Sequence, residues 1–109
     1  PPPKAAPVLP TTRQVLTATP GQLAQARDMF NGLCAGCHGL NAISGGVVPD
    51  LRYLDDNKHA AFPAYVSGAL INKGMPNFSD ILQREDMELL RQYLVKRTQD
   101  LQADLKTHH

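Results

Sequence analysis

Five consecutive residues, Cys34-Ala35-Gly36-Cys37-His38, restrict this chain more than anything else in it. Two thiols three positions apart, with a histidine directly after the second, form the attachment pattern for c-type haem. The sulfurs can add as thioethers to vinyl groups on neighbouring pyrroles, which leaves the adjoining imidazole to ligate the iron. Cys34 and Cys37 are therefore read as tethers and His38 as an axial ligand. Gly36 and Gly39 suit a backbone that must turn tightly beside a macrocycle edge.

Three other chemistries use parts of this pattern. A thioredoxin-like Cys-x-x-Cys follows a strand in a βαβ arrangement, and no β-branched run precedes Cys34. A zinc site needs further ligands at suitable spacing, and the remaining histidines are His59, His108 and His109. A Cys34–Cys37 disulfide closes so short a loop that it contributes little stability. Haem attachment accounts for the whole motif.

At 109 residues the chain is one domain, and nine prolines with eight glycines leave little for a self-sufficient core. Covalently held haem would supply the missing apolar bulk. The net charge is +1 with Lys and Arg scattered, so nucleic acid and membrane surfaces are not expected partners. No apolar run approaches the roughly 20 residues needed to cross a bilayer. The chain begins at Pro1 with no signal-like apolar region, so a processed, trimmed or excised piece is expected. Thioether attachment in bacteria takes place outside the cytoplasmic membrane, which implies the periplasm.

Residues 1–18 are expected to be a Pro-rich linker, residues 19–105 the folded domain, and residues 106–109 a tail that is tag-derived at His108 and His109. Thr19 reads as a helix cap, with Pro20 in the first turn and Gln22 completing a capping box. That helix is predicted to run to about Asn31, with Leu23, Ala26, Phe30 and Leu33 on one face. Met29 lies too near Cys34 to reach the opposite haem face. Residues 39–58 lack a sustained period and are expected to be a loop around the haem edge. Within it the Pro49 carbonyl is the candidate acceptor for the second ring nitrogen of His38. Arg52 is read either as a bidentate partner for a haem propionate or as an ordinary surface arginine.

A second helix is predicted over 62–73, with Pro63 in its first turn and Gly74 as its stop. Met75 follows, between Gly74 and Pro76, where no helix interior can form. A stiff loop of this kind aims a thioether, so Met75 is assigned as the second axial ligand, whereas Met87 sits on a periodic face as a core methionine. His59 is the rival ligand and is expected on the surface, given its polar neighbours Asp56, Asn57 and Lys58. The last helix is predicted from about Arg84 past Lys96, burying Met87, Leu90, Tyr93 and Leu94, with Leu101 and Leu105 continuing the stripe.

A capped helix before Cys-x-x-Cys-His, a Gly-Met-Pro loop and a closing helix with an aromatic resemble the class I cytochrome c family over roughly 19–97. The resemblance implies an all-α cytochrome c fold of three to five helices wrapped around one covalently bound haem. It also implies that the first and last helices cross near Phe30 and Tyr93, which would be the folding nucleus. The segments His38-Gly39, Ser44 to Arg52 and Lys73 to Phe78 are similar to the C-terminal cytochrome domain of quinohaemoprotein alcohol dehydrogenases.

That second likeness implies an electron-transfer module with no bond chemistry of its own. Its donor would be a dehydrogenase domain carrying pyrroloquinoline quinone (PQQ), and its acceptor a small periplasmic redox protein or a respiratory component. PQQ would belong to that parent and not to this chain, which is expected to be monomeric. A free-standing soluble cytochrome c is the alternative. Phe78 and Leu51 are expected to keep the pocket apolar and the potential high.

Overall fold

The computed structural model describes residues 9, 12–43 and 50–107. Helix α1 (Pro20–Leu33) starts where its capping box dictates. The Gln22 N–H donates to Thr19 Oγ1 at 3.1 Å, and Gln22 Oε1 accepts from the Thr19 N–H at 2.9 Å. Such a cap contributes about 1 kcal/mol. Ala26 and Phe30 are buried, whereas Leu23 is half-buried and Leu33 exposed, so the inward face is narrower than predicted. Cys34 breaks the helix, and a single turn, α2 (Ala35–His38), follows at once.

The next helix departs from expectation. α3 (Asp56–Ala64) begins six residues before Phe62, because the Asp55 carboxylate caps it by accepting from the Lys58 N–H at 2.9 Å. Pro63 is therefore inside the helix, where it cannot donate to the carbonyl one turn back. The ladder widens into a π turn over Tyr65–Ala69, a common accommodation of such a break. Gly68, at φ 105°, then ends the helical path, and Gly74 at φ 94° closes the following 3-10 turn, Ile71–Lys73.

Helix α4 (Arg84–Thr107) is the longest element. Glu85 and Asp86 stand at its positive end, and the Asp86 carboxylate accepts from the Gln83 N–H at 2.9 Å. It crosses α1 with Phe30 and Tyr93 in contact, ring centroids 5.5 Å apart at 47°. Around that pair gather Ala26, Ala42, Leu54, Phe62, Val66, Leu82, Met87, Leu90 and Leu94. The fold is all-α, and the described residues contain no strand and no helix long and apolar enough to cross a membrane.

Residues 13–18, the last part of the expected spacer, lie as a strap across α3 and α4. The Arg13 N–H and Gln14 Nε2 donate to the Asp56 carboxylate. Buried Gln92 accepts from the Thr17 and Ala18 N–H groups at 2.7 and 3.0 Å and donates to the Val15 carbonyl at 3.0 Å. One carboxamide thus replaces the pairing that a neighbouring strand would give this extended segment.

Candidate haem site

Cys34 is the hinge on which the site is built. Its own N–H donates to the Phe30 carbonyl at 2.8 Å, closing α1, while its carbonyl accepts from Cys37 at 3.2 Å and His38 at 2.9 Å. One helical turn results, and residues at i, i+3 and i+4 of such a turn share a side. Cys34, Cys37 and His38 occupy those positions. Gly39 follows at φ 86°, a conformation that favours glycine, so the exit from the turn is sharp as expected. Gly36 has an ordinary backbone, and among the described residues nothing beyond its chain neighbours and its own turn lies within 4 Å of where its Cβ would stand.

Burial, and then the neighbouring Cys37, push the Cys34 thiol up to about 11. A thiol oxidoreductase needs the reverse, a depressed pKa that supplies thiolate. Among the described residues no three or more His, Cys, Asp or Glu side chains gather as a metal cluster.

The chain after His38 is fixed by Asn41, a residue that sequence reading passed over. Asn41 and the buried Ala42 both lie in the left-handed region, at φ 55° and 64°. Asn41 receives a bond from α1 through Asn31 Nδ2 at 3.2 Å and returns its N–H to Asn31 Oδ1 at 3.0 Å. From α4, Arg97 Nε donates to its carbonyl at 2.8 Å. Strain of about 1–3 kcal/mol per residue persists only when surroundings over-determine it, as they do here. The signal was present, since Asn tolerates this backbone region better than most residues.

Met75 comes from the other side of the sequence. Its N–H donates to the Leu70 carbonyl at 3.2 Å, and Phe78 returns to the π turn through an N–H bond to the Val66 carbonyl at 2.7 Å. Met75 and Cys34 pack on the same core, as do Met29, Leu51 and Phe78, all partly buried. Met87 fills the core from α4, as its periodic position predicted.

His59 is a correction, because it is buried at 3% exposure rather than on the surface. It lies one helical turn from Phe62 on the inward side of α3, with Nδ1 3.4 Å from Arg91 Nη1. A cavity of about 110 Å³ adjoins it, lined also by Gln14, Val95 and Thr98. Arg52 is no free surface arginine either, for it grips Asp50 in a bidentate pair. Pro49, the candidate acceptor for His38, lies outside the described residues, as do Ser44 to Val48, His108 and His109.

The class that this fold and this turn define is the c-type cytochrome, an electron-transfer domain. A family model described as cytochrome c oxidase, cbb3-type, subunit III matches residues 21–94, and the chain belongs to that family.

Among curated relatives, quinohemoprotein alcohol dehydrogenase ADH-IIG of Pseudomonas putida is 42% identical over 70% of this chain and 11% of its own length. Quinohemoprotein alcohol dehydrogenase ADH IIB of the same species is 38% identical over 89% of this chain and 14% of its own. Cytochrome c550 of Pseudomonas aeruginosa is 37% identical over 60% of this chain and 48% of its own. The solved structure of ADHIIG superposes with a TM-score of 0.83 at 36% identity, covering 93% of this chain and 15% of that one. The chain thus spans between about a tenth and a half of the length of these relatives.

Haem c is the cofactor that membership implies, and the residues fit it. Two thiols and an imidazole share one side of a turn, and a thioether rests on the same apolar core.

Proposed function

We propose that the chain holds one haem c and relays single electrons from a PQQ-dependent alcohol dehydrogenase to a periplasmic acceptor. Likeness over 93% of the chain to part of a quinohemoprotein alcohol dehydrogenase is the observation that carries this reading. Bound haem c supplies a one-electron Fe(III)/Fe(II) couple. Cys34 and Cys37 would tether it, and His38 and Met75 would be the residues that ligate its iron. The Pro49 carbonyl would be the acceptor that orients His38, and the Arg52 guanidinium, already aligned by Asp50, would meet a propionate. Leu51 and Phe78 keep water from the iron, which disfavours the more charged ferric state and holds the potential high.

The domain works as a monomer in this reading, with the dehydrogenase as donor and a small redox protein or respiratory component as acceptor. The match to cytochrome c550 favours a second reading, a free-standing carrier. A haem-stained denaturing gel of periplasmic extract from the source cells, probed in parallel with an antibody to the domain, separates them. A stained band of dehydrogenase size is expected. A stained band no larger than this domain would make the chain a free carrier, and an antibody-positive band without stain would end the haem reading. Loss of stain in the Cys34→Ala, Cys37→Ala double variant ties the attachment to these residues.

A further inference from the structure

The loop that carries Met75 is stapled to the turn that ends α3. Backbone bonds run from Met75 to Leu70 and from Phe78 to Val66, and Gly68 faces Asn77 alongside the second of them. Gly68 has φ 105°, which strains any residue with a Cβ. A Cβ at this position would also stand 3.2 Å from Asn77 Nδ2 and 3.3 Å from both its Cβ and Cγ. Packed carbon atoms rest at about 3.5–4.0 Å.

Asn77 is poorly placed to move aside. Its Oδ1 accepts from the Ser79 N–H at 2.9 Å, which fixes the amide, and its Cβ travels only with the main chain between Pro76 and Phe78. That main chain is held by the 2.7 Å bond from Phe78 to Val66, two residues from Gly68 itself. Bulk added at 68 therefore levers directly on the loop two residues after Met75. The bare backbone of Gly68 lets the loop lie against the turn.

We propose that Gly68 and Asn77 are a positioning pair for Met75, their contact setting how close the loop, and with it the thioether, stands to the core. The inference rests on Met75 being the second axial ligand. Neither backbone bond nor the close contact involves the sulfur, so the pair can tune ligation without altering the ligand.

The test uses the haem-loaded protein. Gly68→Ala is expected to lose most of the weak red-end absorption band that marks methionine sulfur on ferric haem. Its ferrous form should bind carbon monoxide about tenfold more tightly as the sulfur-off population rises, and its potential should fall. Gly68→Ala with Asn77→Gly should regain the band while its thermal midpoint stays low, since only the contact is relieved. A role in stability alone would lower both midpoints and leave the spectrum, affinity and potential unchanged, which would overturn the proposal. A double variant that does not regain the band would overturn it too, by placing the effect in the φ of residue 68.

Should Gly68→Ala yield no loaded protein, Asn77→Ile thickens the same contact from the exposed side, with the same losses expected and an unchanged band as the refutation. Met75→Ala is the separate control. If it leaves band and potential unchanged, the ligand assignment fails; if it abolishes the band while the contact variants do not move it, only the positioning inference fails.

Discussion

Arg52 lays its guanidinium along the Asp50 carboxylate, with Nε 3.0 Å from Oδ1 and Nη2 2.7 Å from Oδ2. Both side chains are mostly buried, at 16% and 21% exposure, so the pair is screened less than a surface bridge. The bond with Asp50 raises the Arg52 pKa further above its ordinary value. Thr98 Oγ1 meanwhile donates to the Arg52 carbonyl at 2.6 Å, tying this turn to α4. Lysine cannot reproduce the fork. Arg52→Lys is expected to cost about 1 kcal/mol, read as a fall of about 5 °C in a thermal melt. A fall in potential alongside it would report the propionate contact, and an unmoved potential would confine Arg52 to structure.

Phe30 and Tyr93 join the first and last helices, so their contact closes most of the chain into one loop. Such pairs contribute about 0.5–1.5 kcal/mol beyond buried area. A double-mutant cycle with Phe30→Leu and Tyr93→Leu is expected to return a coupling of about 1 kcal/mol. If the crossing is the folding nucleus, both variants slow refolding, with φ-values of about 0.5 or more in stopped-flow measurements. Faster unfolding with unchanged refolding would place the crossing after the barrier.

His59 should make stability depend on pH. Burial, and then the Arg91 guanidinium, hold its pKa below the ordinary value, against Asp56, Asp55 and Glu88, which pull it upward. As pH falls the unfolded chain therefore takes up this proton first. The contribution is complete above the unfolded pKa of about 6.5 and is lost as pH falls from there through the folded value. Thermal midpoints measured from about pH 8 to about pH 5 should drop, and His59→Gln should flatten the drop. Equal slopes in the two proteins would remove His59 from the account.

Gln92 satisfies three backbone groups of the strap from a position only 3% exposed. Gln92→Ala is expected to cost about 2 kcal/mol and to speed amide exchange at Thr17 and Ala18 about tenfold or more. Gln92→Glu can still accept both N–H groups but cannot donate to Val15. It should preserve much of that protection, which distinguishes hydrogen bonding from simple loss of packing.

Local chemistry was the legible part of the fold. Thr19 with Gln22 announced α1, Gly74 and Pro76 isolated Met75, and the Phe30–Tyr93 crossing followed from the family likeness. The misreadings have local causes as well. Asp55 and Asp56 look like loop residues until Asp55 is seen capping α3, and Pro63 suggests a first turn until the π turn beyond it shows how an interior proline is absorbed. The polar neighbours of His59 suggest exposure, yet its spacing from Phe62 places it on the inward face. Strap residues 13–18 find their partners 42 to 77 positions away, and no pattern within residues 1–18 encodes Gln92 or Asp56.

That strap also governs reach. A module joined through the Pro-rich segment would be moored from Arg13, not from Thr19, which takes about 20 Å off the line at roughly 3.1 Å per extended residue. A shorter line raises the local concentration of one redox centre around another and narrows the directions from which they meet. Loosening Gln92 would lengthen the mooring without changing a single ligand of the iron.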